Sequence, residues 1–297
     1  MPHVLTLIAP PGGLPAALTT RLRAALLGLG ASVGAPDWLA PEEAADLPFD
    51  NLSPDQAVAA ARVALEDAPV DAIAQPAEGR RKKLLVADMD STIVTSETLD
   101  ELAAYAGLKE KIAAITRRSM NGELDFRQAL VERVAMLEGL STEALEATWA
   151  QTEIMPGAAT LVATMRAHGA YCCLASGGFT FFTGRVAARL GFDLHVSNTL
   201  LHEKGRLTGL VAEPIFDRDA KLVTLKRLAA EKGLALAETL AVGDGANDLD
   251  MIRAAGLGVA YRAKPVVAAA ARARVDHADL TALLYAQGYR ATEIVRP

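Results

Sequence analysis

The sequence predicts an α/β protein built in two parts. A parallel sheet flanked by helices carries a small helical insertion, and a smaller α+β unit precedes it. Three observations predict this. From about residue 156 onward, short apolar strand-like runs alternate with helix-periodic stretches, the pattern of a parallel sheet covered on both faces. Between about residues 97 and 154 there is no strand signal, only helical stretches broken at Gly107, Asn121-Gly122 and Gly139. Residues 1–79 carry ten acids against three bases, whereas the rest is nearly balanced at 26 against 27. A chain of 297 residues, 51% of them hydrophobic, has the length and apolar content for two cores.

In the first unit the pattern predicts a strand over 3–9, a helix over 14–29, a strand over 31–39, a weak strand near Leu47, a helix over 54–66 and a strand over 70–75. Ser53 is placed to cap the second helix, with Asp55 in its first turn. This βαββαβ order fits a split-βαβ, ferredoxin-like unit, and it resembles ACT-type regulatory modules in element order. No ionisable constellation stands out in it. Pro10-Pro11-Gly12-Gly13 lacks the Lys-Ser/Thr of a phosphate loop and is read as a turn. The one basic run, Arg80-Arg81-Lys82-Lys83, is read as a solvated linker.

Leu84 to Ala87 is a short apolar run, read as a buried parallel strand. The insertion follows, with helices expected near 98–106, 109–119, 126–138 and 142–149. Beyond it the pattern gives helix 158–168, strand 171–175, helix 179–190, a helix-like stretch 222–230, strand 239–242, helix 248–255, strand 258–261, helix 265–272 and a last helix near Thr281. Apolar runs stop well short of the roughly 18 residues needed to span a bilayer. The N-terminus lacks the basic start of a secretory signal. Cys172 and Cys173 are adjacent in an apolar run and read as buried free thiols, which suits a reducing, cytoplasmic setting. Neither part is a basic nucleic-acid surface.

The chemistry-bearing residues gather at strand ends. Asp88 and Asp90 follow the 84–87 run at once and, with a period of two, start on the same side, with Met89 turned away. Two carboxylates held together there are costly unless a cation or shared proton relieves them. Ser176-Gly177-Gly178 follows 171–175, and Gly243-Asp244-Gly245-Ala246-Asn247-Asp248 follows 239–242, with Lys221 at a helix start between them. In a parallel sheet such ends converge on one edge. Each cluster alone could be a turn or a cap; together and in order they point to a site.

Asp88-Met89-Asp90-Ser91-Thr92, Ser176-Gly177, Lys221 and Gly243-Asp244-Gly245-Ala246-Asn247-Asp248 resemble the four motifs of the haloacid dehalogenase superfamily, and the intervening details resemble its phosphoserine phosphatase family. The resemblance runs from about Leu84 to the C-terminus. It implies a Rossmann-like parallel sheet with a helical cap over about 97–154, within a domain spanning 80–297 behind an ACT-like domain spanning 1–79. It implies Asp88 as nucleophile, Asp90 as acid and base, and Lys221 as a charge partner. Ser176, Gly177 and Asn247 would hold phosphate. Ionised Asp88, Asp244 and Asp248 beside a phosphate dianion put about five negative charges in one pocket, so a divalent cation is expected. An all-oxygen site beside phosphate favours Mg²⁺, with Asp88 and Asp244 as its best side-chain ligands, the Asp90 carbonyl as a third by resemblance, and Asp248 bound either directly or through water.

Glu97 and Arg133 match the family's residues for a substrate amino group and carboxylate, and Met120 and Phe126 match its pocket closure. Read singly, Glu97 could favour a helix N-terminus and Arg133 could pair with Glu132 or Glu138 at the surface. Ser119 stands where the family more often has a small apolar residue. The expectation is Mg²⁺-dependent hydrolysis of O-phosphoserine, the last step of serine biosynthesis, by a protein that binds no nucleic acid or membrane and forms a homodimer through its first unit. The rivals are a phosphatase or phosphotransferase for another small ester, and an amino-acid-sensing regulatory protein.

Overall fold

The computed structural model describes residues 1–297. The first sheet is antiparallel. Its strands are β1 (His3–Ile8), β2 (Ser32–Val33), β3 (Asp37–Ala40), β4 (Ala44–Asp50) and β5 (Asp71–Pro76), with α1 (Ala16–Gly28) and α2 (Pro54–Leu65) in the connections. The order is β2-β4-β1-β5, with β3 also on β4. The single strand expected over 31–39 is two short ones, because Gly34-Ala35-Pro36 interrupts the ladder. The weak strand near Leu47 is a full seven-residue strand, β4. Ser53 caps α2 in a reciprocal capping box with Gln56, and Asp55 sits in the first turn.

The second sheet is parallel, in the order β13-β12-β11-β6-β7-β8. Its strands are β6 (Leu84–Ala87), β7 (Tyr171–Phe179), β8 (Leu194–Asn198), β11 (Thr239–Gly243), β12 (Leu257–Tyr261) and β13 (Ala273–Val275). Side chains alternate across it. Leu84 and Val86 face α9 (Arg218–Glu231) and α10 (Leu249–Ala254), whereas Leu85 and Ala87 face α7 (Ala158–Ala167), α8 (Thr180–Leu190) and α12 (Ala282–Ala286). The remaining helix, α11 (Pro265–Ala270), follows β12. The chain runs outward from β6 through β7 and β8, then returns to β11 on the other side. The switch point therefore lies between β6 and β11, where ligands bind in such sheets.

The insertion is helical throughout: α3 (Thr98–Ala104), α4 (Lys109–Met120), α5 (Phe126–Ala135) and α6 (Glu143–Gln151). It caps the C-terminal edge of the sheet. Its far end is strapped to a hairpin that lies outside the elements expected from the sequence, β9 (Leu200–Glu203) and β10 (Arg206–Val211). Gly139 N–H donates to the Leu207 carbonyl, Leu207 N–H to Leu140, and Thr142 N–H to Gly205, each at 2.9 Å. Lys204 and Gly205 both take positive φ at the hairpin tip, as a tight two-residue turn requires.

The two sheets share one core. α1 and α2 cover one face of the antiparallel sheet. From its other face, Ile8, Leu39, Ala44 and Ile73 pack into the same cluster as Leu283, Tyr285 and Tyr289. Burying Ile8, Leu39 and Ile73 contributes on the order of 1.5–3 kcal/mol each. Polar contacts fix the fit. Asp71 accepts N–H groups from Asp276, His277 and Ala278 at 2.7–3.3 Å, and Gln75 donates to the Ala286 carbonyl at 2.6 Å.

The basic run is not the solvated linker read from the sequence. Arg80 pairs with buried Asp46 at 2.5 Å, Arg81 lies over the Tyr289 ring at 4.3 Å, and buried Lys82 donates to the carbonyls of Gly79 and Ala237 at 2.9 Å. Lys83 and about half of the Arg81 side chain stay in water. The two cysteines are buried and unpaired, as expected. No helix is long and apolar enough to cross a membrane.

Candidate active site

Register brings the motif residues together. β6 pairs with β11 so that Ala87 lies opposite Val242, and with β7 so that Ala87 lies opposite Leu174. Asp88 N–H donates to the Val242 carbonyl at 3.0 Å, extending the ladder by one residue. Asp88 and Asp90 both line one cavity, while Met89 is buried in the core behind them. Ser91 then takes φ +57°, a left-handed turn that swings the chain away from the strand direction.

Lys221, fully buried in the first turn of α9, donates to Asp88 Oδ1 and to Asp248 Oδ1, both at 2.6 Å. Asp248 Oδ2 accepts the Gly245 N–H at 3.1 Å. A Cβ on Gly243 would fall on the Asp248 carboxylate, so that position must be glycine for the carboxylate to fold back. Asp244 accepts from Thr92 Oγ1 at 3.2 Å and pairs with Lys264 at 3.3 Å. Lys264 lies outside the four sequence motifs. Its position just past β12 and before Pro265, at the edge where strand ends converge, was the available signal.

Carboxylate oxygens of Asp88, Asp244 and Asp248 lie within 4.8 Å of one another, all buried. Burial, reinforced by the Asp248 charge, pushes the Asp88 carboxyl well above the usual range despite Lys221. Burial also raises Asp244 to about 7, with Glu97 and Asp248 adding to it. For Lys221, burial works against the ammonium, but Asp248 and Asp88 outweigh it and hold its pKa above the ordinary value. Carboxylates this short of positive charge fit a cation site. The Asn247 Oδ1, buried without a partner beside them, fits the same reading.

Asp90 Oδ1 accepts the Thr98 N–H at 2.8 Å. Burial, then the nearby Glu97 charge, raises its pKa to about 7. Ser176 Oγ lies 3.4 Å from Asp90 Oδ2 and accepts the Gly178 N–H at 2.9 Å. The cap closes over this floor. A Cβ on Gly177 would lie 2.5 Å from Phe126 Cζ, and one on Gly245 would lie 2.9 Å from Met120 Sδ. Glu97 sits at the N-cap of α3, where its Oε1 accepts from Ser91 Oγ at 2.7 Å. Arg133 is buried on α5 and lines the cavity, so it does not pair with Glu132 or Glu138 at the surface. Asp88, Asp90, Glu97, Met120, Phe126, Arg133, Ser176, Gly177, Asp244 and Asn247 thus enclose one cavity of about 30 Å³, room for about two waters. Lys221 and Asp248 lie behind its wall. The cap is closed.

The family model of haloacid dehalogenase-like hydrolases matches residues 85–253. A phosphoserine phosphatase from Streptomyces coelicolor is 44% identical over 215 residues, 72% of this chain and 52% of the relative. The chain thus spans about half the length of that curated relative. A solved structure described as a phospho-aspartyl intermediate analogue of phosphoserine phosphatase is 36% identical, with TM-score 0.67, covering 69% of this chain and 98% of its own. A probable phosphoserine phosphatase from Vibrio cholerae, in unliganded form, is 31% identical with TM-score 0.78, covering 98% of this chain and 88% of its own. The chain belongs to the haloacid dehalogenase-like hydrolase family.

Proposed function

We propose that the chain hydrolyses O-phospho-L-serine to L-serine and phosphate through a phosphoaspartate on Asp88. One observation carries this reading. A single cavity is lined both by a phosphoryl-transfer set at strand ends and, from the cap side, by a carboxylate and a guanidinium, Glu97 and Arg133. Those two charges complement the ammonium and carboxylate of an amino acid.

In the first step an Asp88 oxygen attacks phosphorus and the bond from phosphorus to the seryl oxygen breaks. Asp90, protonated near neutral pH because its pKa stands at about 7, gives its proton to the departing oxygen. In the second step water attacks phosphorus, Asp90 takes its proton, and the Asp88–phosphorus ester bond breaks. Lys221 holds the Asp88 carboxylate in place at 2.6 Å and offsets part of its charge. Ser176 Oγ, the Gly177 N–H and the Asn247 amide bind phosphate oxygens. Asp88, Asp244 and Asp248, with the Asp90 carbonyl, would hold a divalent cation, and their all-oxygen chemistry selects Mg²⁺. When bound, it neutralises charge on the phosphoryl oxygens. With both Asp248 oxygens already engaged by Lys221 and Gly245, its share in cation binding falls second to Asp88 and Asp244.

The test is phosphate release across a panel of phosphomonoesters, with and without Mg²⁺. Phosphoserine is expected to be preferred by at least about tenfold over esters lacking the carboxylate, with the preference lost in Arg133→Ala. Asp88→Asn should cut turnover by about 10³-fold or more. Equal rates on all esters, or an active Asp88→Asn, would refute the reading.

Residues 1–79 are proposed as an ACT-like domain and 80–297 as the phosphatase domain, with the cap over about 97–154. Homodimerisation through the first domain belongs to the same proposal. Exposed Leu27, Leu29 and Val63 on and next to α1 and α2 support it.

A further inference from the structure

Arg133 is held from behind by its own helix and by α4, which is tied in turn to α3. Its Nε donates to the Ala129 carbonyl on its own helix at 3.0 Å, and its Nη1 donates to Thr116 Oγ1 on α4 at 2.9 Å. Thr116 Oγ1 in turn lies 2.6 Å from Asp100 Oδ1 on α3 and 3.1 Å from the Ile112 carbonyl. A hydroxyl has one proton. The shorter contact, to a carboxylate, takes it, since hydrogen bonds to ionised acceptors are the stronger ones. All three residues are buried. Arg133 Nη2 has no acceptor within the chain, and Arg133 lines the cavity.

We infer that Asp100 and Thr116 are positioning residues that aim Arg133 at the substrate carboxylate and so set specificity. The reason lies in the spacing of charges. A carboxylate directly on the guanidinium would occupy the donors that substrate needs. With a hydroxyl between them, Asp100 polarises Thr116 and fixes one edge of the fork, while the other edge stays open. Burial raises the Asp100 carboxyl to about 6, so it carries its charge at pH 8. The network also ties α3, α4 and α5 at one point, so the fork keeps its orientation relative to Glu97 at the N-cap of α3.

This inference rests on the phosphoserine reading above, and its test separates the two. Steady-state kinetics at pH 8 with Mg²⁺ would compare phosphoserine with phosphoethanolamine, which keeps the amine and phosphate but lacks the carboxylate. Thr116→Val should raise KM for phosphoserine about 10-fold while kcat moves less than about 2-fold. The same variant should leave kcat/KM for phosphoethanolamine unchanged. Thr116→Ser should restore the wild-type KM, and Asp100→Asn, which keeps an acceptor but not its charge, should raise it about 3-fold. Equal losses on both esters would mean that Thr116 merely stabilises the cap, and would overturn the inference while leaving the substrate reading intact. An unchanged KM in both Thr116→Val and Asp100→Asn would overturn it too. A wild-type enzyme with no preference for phosphoserine would sink the substrate reading itself, and this inference with it.

Discussion

At the scale of single residues, the site is a set of buried charges that are only partly matched. Lys221 serves two carboxylates, and Lys264, about a third exposed, reaches a third. A polar mismatch of a simpler kind sits in the cap. Ser119 is buried and its Oγ has no partner, which costs about 1–3 kcal/mol relative to a paired hydroxyl. Ser119→Ala should therefore stabilise the protein by about 1 kcal/mol, read as a higher denaturant midpoint with unchanged slope. A lower midpoint would mean that the hydroxyl is paired in solution. Such residues differ in how legible they are. Asp88 and Asp90 could be read directly, because their relation is a spacing of two along one strand. Lys264 could not, because its distance from Asp244 depends on how the turn after β12 folds back over the sheet edge. The charge of Arg80 and Lys82 was plain in the sequence, but their partners Asp46 and Ala237 are distant in the chain.

At the scale of elements, the cap is a clamp with one fixed end and one free end. The fixed end is the main-chain ladder between 139–142 and β10. The free end is the α4–α5 turn, where Met120 and Phe126 meet Gly245 and Gly177, with an exposed Arg127–Glu213 ion pair of 2.5 Å spanning the rim. Exposed pairs of this kind contribute little, so closure depends on apolar fit. Gly177→Ala places a methyl against the Phe126 ring and should hold the clamp ajar, lowering kcat/KM about 10-fold or more. Adding Phe126→Ala should recover part of that loss, and a double variant no better than the single one would show that the ring is not the obstacle. Strongly capped or periodic elements such as α2 and α5 were visible in the sequence. The β9–β10 hairpin was not, since its strands are short and half polar, although Lys204-Gly205 between them was a turn signal. Its role comes entirely from the cap segment it pairs with.

At the scale of the whole molecule, the shared packing of the two sheets predicts that they unfold together. Asp71→Ala would strand the N–H groups of Asp276, His277 and Ala278 at the junction. The expected cost is about 2–3 kcal/mol, seen as one thermal transition lowered by roughly 5 °C, with turnover at 25 °C unchanged. Two separate transitions, only one of them shifted, would contradict a shared core. By the same reasoning, removing residues 1–79 bares Leu283, Tyr285 and Tyr289 and should yield an aggregating remainder rather than a free folded domain. The sequence leaves a sensing and a structural role for residues 1–79 both open, because a composition boundary looks the same whether the surfaces behind it meet or not. That the inner face of the antiparallel sheet is already spoken for has a consequence for any signalling role. A small molecule or a second copy must reach this unit from its outward helices or from the strand edges beside β5, so whatever is sensed there travels to the far sheet edge through a packed wall and not by the swing of a loose appendage.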